Sequence, residues 1–185
     1  MNKYHDIKNK LQSQGVIFDT GLTRQEIETV EQRYGIQLPY ELRQLFSIGL
    51  PVSSGFYNWR SSSEENVLSI INALNMPLKG LVSDLDDGYL WRDAWGAKPD
   101  EPRKANEIFM RYFANAPKMI PVYLHRYVPF VGHDAIVPVF SIMQSDIIYY
   151  GVNLVSYLET EFGFREFEDL PLSDYQNVDF WSDLL

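Results

Sequence analysis

The tightest constraint on the fold is the stretch 120–162. Its runs of β-branched and aromatic residues are too short for globular helices and are separated by polar or glycine breaks. Three of these runs, 120–123, 137–142 and 147–150, read as strands. Met143, Gln144, Ser145 and Asp146 join the last two, a polar connection whose length closes an antiparallel hairpin around a type I turn. Gly151 then breaks the strand, and Asn153 is placed to cap a helix over 154–162 that stops at Gly163. The chain before this unit is expected to lay helices on the sheet, and the chain after it to wrap back as an acidic segment.

Upstream, Tyr4, Ile7 and Leu11 fall at helical spacing, so residues 1–20 are expected to form a loosely attached helical extension. The clearest local signal follows. Thr23 and Glu26 form a capping box, with Leu22 and Ile27 set as a hydrophobic staple. The helix they open buries Ile27, Val30 and Tyr34 and ends at Gly35. Pro39 then starts a second helix as its first residue, with Leu42, Leu45 and Phe46 inward and Gly49 at its end. A short strand is possible at 56–60. Ser62 or Ser63 caps a helix with Val67, Ile70, Ile71 and Leu74 on its apolar face, closed by Pro77. Residues 78–102 carry glycines and prolines around Trp91 and Trp95 and read as a long ordered loop or a loop with one short helix, a length uncommon without a function. Ala105, Ile108, Phe109, Tyr112 and Phe113 mark a further helix, stopped by Pro117.

The length of 185 residues is most economically one domain, 1–185, ending in an acidic segment over 165–185. Without cysteine there is neither a disulfide framework nor a thiolate zinc site. The N-terminus lacks the apolar core of a signal peptide, and the longest apolar run, 135–140, is far short of a membrane span, so a cytoplasmic chain without membrane contact is expected. Net charge is −9, and residues 159–185 hold eight carboxylates against Arg165 alone. Such a field repels phosphate backbones, which argues against direct nucleic-acid binding, and attracts basic partners.

Acid–base chemistry is bounded by His5, His125 and His133. His125 and His133 flank a proline-containing loop, and a hydrolase using either with nearby carboxylates is one alternative reading. No two histidines share metalloprotease spacing, and the glycine and glutamate positions of a calcium loop starting at Asp84 hold Tyr89 and Trp95. Asp84, Asp86, Asp87 and Gly88 therefore read as a turn. Serine-nucleophile elbows, phosphate-binding loops and dinucleotide fingerprints are missing. No catalytic residue, metal or cofactor is expected. What stands out is aromatic content: four Trp, twelve Tyr and eleven Phe. Trp59, Trp91 and Trp95 lie in irregular segments beside Arg60, Arg92 and Lys98, and Tyr123, Arg126 and Tyr127 repeat the pairing, which is the chemistry of protein-interface anchors.

Several of these segments together resemble one family. Leu22-Thr23-x-x-Glu26-Ile27 leading through Gly35-Ile36-x-Leu38-Pro39-x-x-Leu42, then Trp91 with Trp95-Gly96-x-Lys98-Pro99, resemble the SUKH superfamily of cell-wall-assembly regulators and their bacterial relatives. Ile120-Pro121-Val122-Tyr123-x-His125-Arg126-Tyr127-x-Pro129, the segment 138–151 and Phe180-Trp181 are similar to a bacterial branch of it, so the likeness covers residues 22–181. The resemblance implies an α+β domain, a central and mostly antiparallel sheet faced by helices. It also implies a non-enzymatic, protein-binding role: an immunity protein that neutralises a toxin domain, often a nuclease, with an intracellular regulatory scaffold as the alternative. On this reading the expected partner is a basic toxin domain, and the expected contact residues are Trp59, Trp91, Trp95, Tyr123, His125, Arg126, Tyr127 and Asp146.

Overall fold

The computed structural model describes residues 2–167 and 171–185. Glu168 and Asp169 of the acidic segment lie outside the described residues. Helix α1 (Lys3–Ser13) is followed by strand β1 (Phe18–Thr20), α2 (Arg24–Tyr34), α3 (Tyr40–Ile48) and β2 (Gly49–Pro51). The long helix α4 (Glu64–Asp86) and α5 (Pro102–Phe113) lead into β3 (Met119–Tyr123), β4 (Arg126–Pro129), β5 (Val139–Met143), β6 (Asp146–Gly151) and α6 (Leu154–Glu161). The class is α+β, as expected.

The main sheet has the order β3-β4-β5-β6 with every pair antiparallel, and β1 pairs with β2 in a small separate sheet. Alternation along the strands sends side chains to two buried clusters. Ile120, Val122, Val128 and Val139 meet Tyr4, Ile7, Leu11, Leu42, Leu45 and α6 on one side. Met119, Tyr127, Phe140, Ile142, Ile147 and Tyr149 meet Leu81, Leu85, Phe109 and the C-terminal Val178, Phe180, Trp181 and Leu184 on the other. The sheet is thus a middle layer covered on both faces.

Several expectations need correction. The segment holding Arg126 and Pro129, a proline-containing loop by sequence, is strand β4, which pairs with β3 across a two-residue turn in which Leu124 has φ +49°. The β5–β6 connection is likewise shorter than expected, since Met143 pairs with Asp146 and only Gln144 and Ser145 turn the chain, Gln144 at φ +57°. The expected loose extension is, over its described residues 2–20, part of the core. Tyr4, Ile7 and Leu11 are core, and Glu41, 1% exposed, accepts from Lys3 (3.0 Å), the Tyr4 hydroxyl (3.2 Å) and the Leu154 backbone (2.9 Å), tying α1, α3 and α6 together.

Pro77 does not close a helix; α4 runs through it to Asp86. A proline inside a helix orphans the carbonyl four residues earlier. Here that carbonyl belongs to Ala73, and the buried Tyr127 hydroxyl donates to it at 3.1 Å. A tertiary side chain thus supplies the bond the ring removes. Farther along, Gly80 lets α4 approach the β5–β6 turn so closely that a Cβ would lie 2.8 Å from the Cα of Gln144. Asp84, read from sequence as part of a turn, sits in the last turns of α4 and accepts from the Ser145 backbone (2.8 Å), the Ser145 hydroxyl and the Gln144 amide (3.0 Å).

Candidate functional site

The expected contact residues divide by burial. Trp59 is 1% exposed, with Tyr34 edge-on to it at 5.6 Å, and Tyr127 is 1% exposed and committed to Ala73. Both are core, so neither can anchor a partner. Sequence does not separate them from surface aromatics, because Trp59 stands in an irregular segment and β4 is too short to show a strand pattern. Tyr123 is half-buried in a ring cluster with Phe56 and Phe162. Asp146 is exposed at the start of β6.

Arg126 is also mostly internal. Its guanidinium lies 4.0 Å from the Tyr150 ring centre, donates to the Ser141 hydroxyl at 3.0 Å and forms an ion pair with Glu161 at 3.4 Å. Burial and then the Glu161 charge push the neighbouring Tyr157 hydroxyl well above the ordinary tyrosine range. His125, on the β3–β4 turn, is held below the ordinary histidine value by burial and by the charge of Arg126, with Glu161 opposing. The Arg126 guanidinium and the Glu161 carboxylate facing it form an internal ion pair that stitches the sheet to the end of α6. His133 is exposed at the other end of β4, edge-on to Phe130 at 5.5 Å. Among the described residues no group of three or more His, Asp or Glu is arranged to hold a metal ion.

Trp91 and Trp95 have a different setting. The segment 87–101 is folded back on α5: Trp91 and Trp95 meet edge-to-face at 5.5 Å, and the Trp91 indole donates to the Gly96 carbonyl at 2.8 Å. Trp95 stacks on Tyr112 at 5.8 Å and packs edge-on to Phe109 at 5.7 Å, while the Tyr112 hydroxyl donates to the Ala94 carbonyl at 3.1 Å. The loop is therefore fixed, with both aromatic rings left partly open. Sequence periodicity assigns Tyr112 to the apolar face of α5; only Ala105 and Phe109 are buried there, and Tyr112 is 44% exposed.

The C-terminal segment completes this surface. The Trp181 indole donates to the Pro117 carbonyl at 2.8 Å, Tyr175 stacks on Tyr149 at 4.1 Å, and Phe180 packs against Phe109 and Phe113. These contacts bring Asp179 and Asp183 to the rim of a groove of about 420 Å³ whose floor includes Trp95, Tyr112 and Phe180. Arg111 also lines it, and among the described residues neither Asp179 nor Asp183 forms an ion pair. Phe180 is part of the motif pair Phe180-Trp181 but not of the expected contact residues, since nothing local shows that the C-terminal segment docks beside α5.

Among the described residues no helix is long and apolar enough to cross a membrane. Comparison with protein-family models, curated proteins and solved structures finds no match.

Proposed function

We propose that this chain is a non-enzymatic protein-binding domain, acting inside the cell as an immunity protein that holds a basic toxin domain. The observation that carries the reading is the groove of Trp95, Tyr112 and Phe180 under the carboxylates of Asp179 and Asp183. The partly open rings of Trp95 and Tyr112, backed by the buried Phe180, supply contact area at little conformational cost, and the carboxylates steer a cationic partner into register. The side chains suited to this site are Arg and Lys, whose stems lie on the rings while their charges meet the carboxylates. The SUKH-like motif pattern and the −9 net charge support the same reading. The test is protection: among cells expressing candidate basic toxin domains, those carrying the cognate toxin survive with the wild-type protein. Protection is lost with Trp95→Ala combined with Asp179→Asn and Asp183→Asn, when the variant accumulates to wild-type level. Equal protection by this variant overturns the site.

A further inference from the structure

The N-terminal two-thirds of α4 carries an outward stripe that the groove at Trp95 does not use. Glu65, Leu68, Asn72, Met76 and Lys79 follow one another at three- and four-residue steps, so they share a face. All five are exposed, Leu68 by 52% and Met76 by 54%. Leu124, itself 51% exposed, and Tyr57 flank the stripe across a groove of about 660 Å³, and the Tyr57 hydroxyl fixes that turn by donating to the Leu124 carbonyl at 2.7 Å. Apolar side chains this open, on a helix interior and beside a rigid turn, are arranged to be covered.

The stripe is symmetric about Asn72. Leu68 lies four residues before it and Met76 four after; Glu65 lies seven before and Lys79 seven after. Laid antiparallel on a second copy about a two-fold axis through Asn72, Leu68 meets the other copy's Met76, Glu65 meets its Lys79, and the two Asn72 side chains face each other. Among the described residues neither Glu65 nor Lys79 forms an ion pair within the chain, so both are free to make this match. A polar residue at the centre of an apolar helix seam fixes register, which is the role Asn72 takes here. We infer that the chain forms a two-fold homodimer through antiparallel α4 helices, centred on Asn72 and closed by reciprocal Glu65–Lys79 pairs. This face shares no residue with the Trp95 groove, so the dimer presents two partner sites.

The lack of cysteine makes the register directly testable. Packed helix axes stand about 8–10 Å apart, with Cα atoms about 2.3 Å off each axis. Facing residues on the two-fold axis therefore come within reach of a disulfide. Under mild oxidation Asn72→Cys is expected to give a covalent dimer, while Ser83→Cys, far from the axis, stays uncrosslinked. In sedimentation analysis the wild type is expected to be a dimer. Leu68→Glu should raise its dissociation constant about tenfold or more. Glu65→Lys should weaken the dimer, and adding Lys79→Glu should restore it. A wild type that stays monomeric, a dimer indifferent to Leu68→Glu, a swap that fails to restore, or crosslinking at 83 rather than 72 each overturns the proposal.

Discussion

Tyr127 shows how one side chain settles two questions that composition leaves open. By type it belongs among interface anchors; by position it is the donor that satisfies the carbonyl orphaned by Pro77. Removing the hydroxyl with Tyr127→Phe strands a buried acceptor, and the expected cost is about 1–3 kcal/mol. In the Pro77→Ala background that cost should shrink, because residue 77 regains an N–H able to bond Ala73 from within the helix. Urea denaturation of the four variants gives the coupling directly, and strictly additive losses contradict this role for Tyr127. Trp59 is the parallel case among the tryptophans: Trp59→Ala is expected to cost about 3–5 kcal/mol in stability, whereas Trp95→Ala, which removes a partly open ring from Trp91, Phe109 and Tyr112, should cost clearly less, a contrast that thermal or urea unfolding resolves.

At the level of elements, α4 and its contact with the β5–β6 turn are the decisive feature. Alanine in place of a mid-helix glycine ordinarily stabilises by about 1 kcal/mol. At Gly80 the new Cβ would meet backbone atoms of Gln144 at 2.8 and 3.2 Å, which cannot swing aside. Overpacking of that kind costs about 1–3 kcal/mol, so Gly80→Ala is expected to lower the urea midpoint, and a raised midpoint would show that the close approach is absent. Helix α2 carries the pH dependence. Glu26 is held at about 2, from an ordinary 4.5, first by the hydrogen bond from Arg60 and then by those from the backbone and hydroxyl of Thr23. A depressed carboxyl adds stability above its unfolded value and loses it as pH falls through the folded one. The melting-temperature gap between wild type and Glu26→Gln should therefore be full above about pH 4.5 and close as the pH falls towards about 2. A gap that stays constant across that range contradicts the assignment.

The same elements show which parts of the fold were legible. Local chemistry announced the start of α2, because Thr23 and Glu26 satisfy each other within one turn. It also announced β3, β5 and β6, whose apolar runs are bounded by turn residues. It failed where a distant partner overrides a local rule: at Pro77, which Tyr127 accommodates, at Asp84, which serves a turn sixty residues away, and at α1, which Glu41 binds into the core. Of the candidate site, Trp91, Trp95 and the C-terminal acids were visible as types. Their meeting with Tyr112 and Phe180 was not, because it depends on the C-terminal segment docking beside α5.

Across the whole molecule, charge is placed as well as abundant. Among the described C-terminal carboxylates, Asp179 and Asp183 reach the aromatic groove, which is where the proposed steering of a basic partner acts. Two kinds of residue should then act on different rates. Asp179→Asn with Asp183→Asn is expected to slow association and flatten its salt dependence, while Trp95→Ala is expected to speed dissociation. The most direct measurement is calorimetric titration of a basic toxin domain, found by screening candidates for neutralisation by this protein, into the wild type and into Trp95→Ala. The account predicts tight binding by the wild type and a loss of about thirtyfold or more in the variant, the scale of a single anchoring aromatic. Equal affinity in a correctly folded Trp95→Ala variant would contradict it.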